Sequence, residues 1–543
     1  MKQGGENFSG HQRHRHASGG VPEPDGRARD QCAALWTDIR AARAEFHRLQ
    51  RAGELTPSAA MNLATGAASA FLQRYSTTAG YLTEAITLLC ELATSGDTPL
   101  AQIGMQGLFP LLVERLGDAF DPAASAMYNR LFVQVIQHCR QVPGGGALDA
   151  QLRRFGLVTD TDLFARTARV RQGKRFDRSL GPRVKKAFVL SRVTLGADVA
   201  VTSVVLATLK RVCPTAQLMF LATPKAQHLF AGDPRLYACT IEYPRGGGLL
   251  DRLASWQRMI EAIDQHTVGL DASEYLIVDP DSRLTQLGLL PLVADERGYF
   301  FFESRSYGAP GLHKIGDLTA HWLAQVFGAE EPAYPYVAPG TDDLLLARAV
   351  VGAVRPRGRG PVVSVNFGVG ANPGKRLADP FEFMLLERLV REGAIVILDK
   401  GGEAEEVARI DRLSGAIAAR GFHTLALDAT SGKAPHPTDA KEVHLITWHG
   451  GIGRFAALIG ASDAYIGYDS AGQHIAAALG VPTIDIFAGF SSPRMPERWS
   501  PHGPGPVHML VVDAPETMSP RQLEALVDDV LSHVAQARTR QRS

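Results

Sequence analysis

Cysteine is scarce in this 543-residue chain: Cys32, Cys90, Cys139, Cys213 and Cys239 lie far apart, with no C-x-x-C pair. That spacing argues against a disulfide framework or a structural zinc site and fits a reducing compartment. Net charge is nearly absent as well, Lys+Arg 57 against Asp+Glu 56 leaving +1. A partner held by bulk charge, nucleic acid above all, is not expected. No window supplies the roughly 18 apolar residues that span a bilayer. The amino-terminal MKQGGENFSGHQRHRH also lacks the apolar stretch of a secretory signal. The expected location is cytoplasmic, with peripheral contact at the inner face of the membrane left open. The remainder, 45% hydrophobic and 21% charged, is the composition of a globular protein long enough for three or four domains.

Residues 1–30 are rich in Gly, His, Arg and Pro without an apolar period and read as a disordered tail. Its His11, His14 and His16 read as solvated rather than as metal ligands. Residues 31–180 read as an all-helical accessory domain. Ile86, Leu89, Cys90 and Leu92, and again Leu131, Phe132, Val135 and Ile136, recur at helical spacing. From Val184 strands and helices alternate, the mark of parallel sheets covered by helices. The expected architecture is α/β: two Rossmann-like doubly wound domains at 181–340 and 341–515, behind the helical domain. A closing helix and tail occupy 516–543, opened by the capping box Ser519-Pro520-Arg521-Gln522.

The strongest local signal is YIGYDSAGQHIAAALGVPTIDIF, 465–487. A buried strand ends at Asp469, Ser470 is placed to cap the next helix, and Ala471 and Gly472 keep its first turn open. Such a helix start offers unpaired N–H groups at the carboxyl edge of a sheet, a ready site for phosphate oxygens. His474, four residues after Ser470, shares that face. Alternatively, Asp469 and Ser470 only cap the helix and His474 is packed.

A second constellation is VSVNFGVGANPGKRL, 363–377, a strand, a small-residue loop and the pair Lys375-Arg376. It is not a P-loop, because Arg376 and Leu377 follow the lysine. It suits a diphosphate or sugar acid, or it is a solvated surface loop. In TLGADVAVTS, 194–203, Asp198 sits at the end of the first strand of its domain, either as a helix cap or as a general base. Asp279-Pro280-Asp281 has the look of a D-x-D metal pair, but closing a strand inside a doubly wound domain it is discounted.

Together these residues resemble the ADP-heptose:lipopolysaccharide heptosyltransferases, glycosyltransferase family 9. The turn reads DSAGQHIAAALGVP, the lysine loop GANPGKRLAD with Leu377 where the family has Trp, and the first strand–helix unit LGADVAVTSVVLATLKRVCP with one extra residue, Ala197. YLIVDPDSRLTQLGLL is similar to a later family segment. The resemblance covers about 185–515 and leaves the helical region outside.

It implies a GT-B fold, the first Rossmann-like domain facing the acceptor and the second the nucleotide-sugar. It further implies inverting transfer without a catalytic metal or other cofactor, the nucleoside-diphosphate sugar being a co-substrate. By carry-over Asp198 is the general base and Lys375 neutralises the departing diphosphate. Ser470, Ala471 and Gly472 supply N–H contacts, with Asp469, His474 and Arg376 completing the donor site. A glutamate of GGEAEE (Glu403, Glu405 or Glu406, with Glu405 taken for the site) holds the ribose. An ADP-sugar is the expected donor and a glycan, glycolipid or protein the acceptor, with heptose one candidate sugar. Two other readings stay open: a catalytically inactive nucleotide-sugar-binding protein that docks a partner, and a sugar-nucleotide epimerase or hydrolase on the same fold.

Overall fold

The computed structural model describes residues 39–542 apart from 245, 330, 356–359, 371 and 430–442. The amino-terminal tail with its three histidines, and Cys32, lie outside the described residues.

The chain begins with helices from Ile39–Ala52 to Asp160–Arg171. Three start in the same way, a polar cap followed closely by proline. The Thr56 side chain accepts from Ala59 N, that of Asp97 from Leu100 N, and that of Asp121 from Ala123 N and Ala124 N. The cap satisfies one or two orphan donors, and proline in the first turn has no N–H to leave unpaired.

The first sheet is β1 (Lys186–Leu190), β2 (Gln217–Ala222), β3 (Leu236–Thr240), β4 (Tyr275–Asp279) and β5 (Tyr299–Phe301), in order β3-β2-β1-β4-β5. The second is β6 (Val362–Asn366), β7 (Ile395–Asp399), β8 (Thr424–Asp428), β9 (Leu445–His449), β10 (Ala464–Tyr468), β11 (Thr483–Ala488) and β12 (Val507–Val512). Its order is β12-β11-β10-β6-β7-β9-β8. Every pairing is parallel. Two doubly wound sheets behind a helical region is the expected α/β, GT-B type architecture.

Successive strand residues point to opposite faces, and the two faces of the first sheet are covered differently. Val189, Leu218 and Val278 pack on Val204, Leu209 and Leu323 from its own helices. Phe188, Leu190, Met219, Leu221 and Ile277 share one core with Leu89, Leu131 and Ile136 of the helical region and with Trp256. The helical region is therefore a structural layer of the first Rossmann-like half. The second sheet is covered by helices of its own half, including the final helix Pro520–Arg542, whose Leu523, Val527 and Val530 are buried. Its capping box forms: Ser519 N donates to Gln522 Oε1 at 2.8 Å and Gln522 N to Ser519 Oγ at 3.4 Å.

One expected helix is wound otherwise. The spacing predicts an α-helix from Val199 to Arg211, but Asp198–Thr202 forms a π-turn and the α-helix runs Ser203–Val212. A π-turn takes one more residue per turn than an α-turn, which accommodates the extra Ala197. Among the described residues, no helix is long and apolar enough to cross a membrane.

Candidate functional site

In open parallel sheets ligands bind at the carboxyl ends of strands where the strand order reverses. In the second sheet that point lies between β10 and β6. The turn after β10 carries Asp469 and Ser470, and the loop after β6 carries Lys375.

The structure brings these together: Lys375 Nζ forms an ion pair with Asp469 Oδ2, and Gln473 Nε2 donates to Asp469 Oδ1 at 2.8 Å. The lysine loop is held by a close backbone approach, because the space a Cβ on Gly489 would need is filled by Gly374 O. Gly472 is required on similar grounds, since the Tyr465 hydroxyl fills its Cβ position.

Ser470 does not cap the helix Ala471–Ala478: no side-chain cap bond is present, and its hydroxyl is buried beside that of Tyr465. The reason is steric, as Gly472 lets Tyr465 rise under the turn and draw Ser470 beneath the helix. The first-turn N–H groups thus meet no side-chain oxygen and remain available to an anion, with the positive end of the helix dipole behind them.

Two neighbours tune this site. Asp485 on β11 is fully buried with neither oxygen hydrogen-bonded, and burial lifts it well above the usual carboxylate range. His474 is pushed down to about 4, by burial first and against the pull of Asp469. A neutral imidazole is no cationic clamp. Its ring instead packs 5.9 Å from Trp499, and a Cβ on Gly196 of the first half would stand 3.1 Å from its Cδ2.

Arg376 is turned toward Glu382, Nε to Oε1 3.2 Å, and Leu377 is buried with its N–H 3.3 Å from the Tyr468 hydroxyl. Glu405 is exposed; Glu406 is the residue of GGEAEE that turns inward, against Gly401 and Gly368. Sequence reasoning missed Asn366 and Asp399 at the ends of β6 and β7. Asn366 Nδ2 donates to Asp399 Oδ2 at 2.6 Å, and burial raises Asp399 to about 7. Their signal was position alone, polar residues closing apolar strands at the edge that binds ligands.

In the first half Asp198 is 0% exposed. Its carboxylate accepts from Ser191 Oγ at 2.6 Å, Arg192 N at 2.7 Å and Thr202 Oγ1 at 2.9 Å. Burial raises it to about 6 against those bonds. Asp198 thus clasps its own connector, set inward by the π-turn. Asp279 and Asp281 are likewise spent on turns. Asp279 accepts from Ser282 N at 2.7 Å and from the Thr285 and Tyr299 hydroxyls, and Asp281 pairs with Arg305 at 3.0 Å.

Trp499 is where the regions meet. Its ring lies 5.9 Å from His474, 6.3 Å from Phe120 of the helical region and 5.7 Å from the guanidinium of Arg192.

Two doubly wound parallel halves meeting at one anion-ready turn make a GT-B type architecture. Residues 450–521 match the sequence model of glycosyltransferase family 9 (heptosyltransferase), so the resemblance carried by DSAGQHIAAALGVP is borne out over the segment that holds it. No curated protein matches the chain. Among solved structures, a family 9 glycosyl transferase from Veillonella parvula is 14% identical, covering 65% of this chain and 97% of its own, TM-score 0.46. ADP-heptose lps heptosyltransferase II of E. coli is 16% identical over 65% and 99%, TM-score 0.40. E. coli heptosyltransferase WaaC with ADP is 12% identical over 64% and 99%, TM-score 0.42.

Proposed function

We propose that this protein transfers a sugar from a nucleoside-diphosphate donor to an acceptor hydroxyl with inversion and without a metal. The observation that carries the reading is the uncapped start of the helix Ala471–Ala478 at the order reversal, beside the Lys375–Asp469 pair. Preorganised N–H donors and a lysine stabilise the charge that develops on a departing diphosphate. Glu406, Asn366 and Asp399 line the adjoining strand ends, where the nucleoside would extend. ADP is the proposed base form, in keeping with the family resemblance, and heptose is one candidate sugar. The acceptor is a glycan, glycolipid or protein, reached in the cytoplasm or at the membrane face.

A thermal-shift panel of ADP, UDP, GDP and CDP tests this. A ligand at 100 times its Kd stabilises by about 2.7 kcal/mol, and ADP is expected to give the largest shift. Lys375→Ala removes one charge-assisted contact and is expected to weaken ADP roughly 10- to 100-fold in calorimetric titration. No response to any diphosphate, or an unchanged Kd in the variant, would sink the site. One observation favours a second reading, a nucleotide-sugar-binding protein without catalysis: Asp198 is fully engaged by its own connector. Binding of ADP with no turnover of any of a panel of ADP-sugars selects it.

A further inference from the structure

Arg192 lies just beyond β1, at the carboxyl edge of the first sheet, where the strand order reverses between β1 and β4. Ligands bind at such a point in an open parallel sheet. Arg192 is 4% exposed, and its Nε and Nη1 are buried without a hydrogen-bond partner among the described residues. The neighbouring arginines are already paired, Arg305 with Asp281 at 3.0 Å and Arg283 with Glu114 at 3.4 Å. The carboxylates that act on Arg192 through space, Asp281 and Asp198, are engaged as well. Asp281 Oδ2 accepts from Ser304 Oγ and from Arg305 N, both at 3.0 Å. Asp198 is filled by the hydroxyls of Ser191 and Thr202 and by the main-chain N–H of Arg192 itself. A buried guanidinium without an acceptor is destabilising. An acceptor that arrives from outside the chain would offset that cost.

Position selects the acceptor. Val193, the next residue, takes φ 74°, a left-handed backbone that a β-branched side chain rarely adopts. The chain then brings Gly196 against the second half, where a Cβ on it would stand 3.6 Å from Ala471 Cα and 3.1 Å from His474 Cδ2. The loop that begins at Arg192 therefore rests on the uncapped start of the helix Ala471–Ala478. Trp499 closes a further side, its ring 5.7 Å from the Arg192 guanidinium and 5.9 Å from the His474 ring. Lys375 reaches the same turn from the loop after β6, through its pair with Asp469.

Resting on the transfer reading, we propose that Arg192 is the second cation of the diphosphate site, supplied by the first half as Lys375 is by the second. A guanidinium presents a planar fork of N–H donors that matches two phosphate oxygens. As the acceptor oxygen bonds to the anomeric carbon and gives its proton to a base, the bond from that carbon to the diphosphate oxygen breaks. The electron pair of that bond leaves on the diphosphate, and a cation on each side stabilises the charge. Because the two cations belong to different halves, the site is complete only when the halves meet.

Calorimetric titration of the full chain with ADP, AMP and inorganic pyrophosphate tests this. Arg192→Met keeps much of the side chain's length and removes its charge. It is expected to weaken ADP and pyrophosphate roughly 10- to 100-fold and to leave AMP within about threefold. Without ligand its urea midpoint is expected to equal or exceed that of the unaltered chain, because a buried unpaired charge is gone. Arg192→Lys, which restores the charge without the fork, recovers part of the ADP affinity. Equal weakening of ADP and AMP in Arg192→Met, or a lowered urea midpoint, assigns a structural role and overturns the proposal. Unchanged ADP and pyrophosphate affinity in Arg192→Met, while Lys375→Ala is weakened, also overturns it and leaves the transfer reading standing. No binding of ADP or pyrophosphate by the unaltered chain overturns the transfer reading and this assignment together.

Discussion

The connector after β1 and the turn after β10 occupy corresponding places, each following a central parallel strand next to the order reversal, and each carries an aspartate. After β1, Asp198 is closed in by three donors of its own connector and a π-turn. After β10, Asp469 reaches out of its turn to Lys375 on another loop, and the helix behind it starts uncapped. One aspartate holds local structure; the other organises a site across loops. The halves differ in the same sense at larger scale. The second covers its sheet with its own helices, whereas the first borrows one face from the helical region.

The largest effect should come from removing that borrowed layer. A chain starting at residue 181 exposes Phe188, Leu190, Met219, Leu221 and Ile277, and it is expected not to fold. Each buried side chain of this kind contributes about 1.5–3 kcal/mol. A cooperative urea transition with native-like near-ultraviolet dichroism in the truncated chain would show the helical region to be separable.

Next is Asp198→Asn. The folded carboxyl sits at about 6, above its ordinary 3.8, so the folded state holds the proton more tightly. Its contribution to stability is full below about pH 4 and is lost as pH rises through 6. At about 1.4 kcal/mol per unit, that is roughly 3 kcal/mol. Urea midpoints at pH 4 and 7 should therefore show the unaltered chain losing stability relative to the variant as pH rises. A constant difference would mean that Asp198 is not buried as described.

The smallest effect concerns His474. Because its pKa lies near 4, ADP affinity between pH 6 and 8 should be the same in the unaltered chain and in His474→Asn, apart from a constant offset. A step near pH 6.5 that disappears in the variant would mean that the histidine is protonated in the site.

Most central strands were legible as short apolar runs bounded by turn residues: Gln217–Ala222 and Tyr275–Asp279 fall where the pattern places them. Three strands it does not mark, β3, β5 and β12, are all sheet edges. β3 is largely exposed, β12 is half-buried along most of its length and β5 has three residues, so neither alternation nor an apolar run stands out. The helix Leu249–Thr267, which follows the glycines of 246–248, is not marked either. At the site, the turn at Asp469 and the lysine at 375 were readable because spacing alone places them after strands. The true orientation of Ser470 was not, since it depends on Tyr465 rising through the gap that Gly472 leaves. Glu406 rather than Glu405 faces inward because of where the helix Ala404–Ala419 sits against β8 and β9, a rotation no motif encodes.

The sequence by itself determined the period of each element, the parallel α/β class and the anion-ready turn, because these follow from local geometry and from which residues can end a strand or start a helix. Only the tertiary structure decided that the helical region is a layer of the first half and that its Phe120 packs against the second. It also decided which aspartate is held by its own connector and which pairs across loops. Burial and the distance between residues far apart in the chain set those outcomes, and neither is written in any local window.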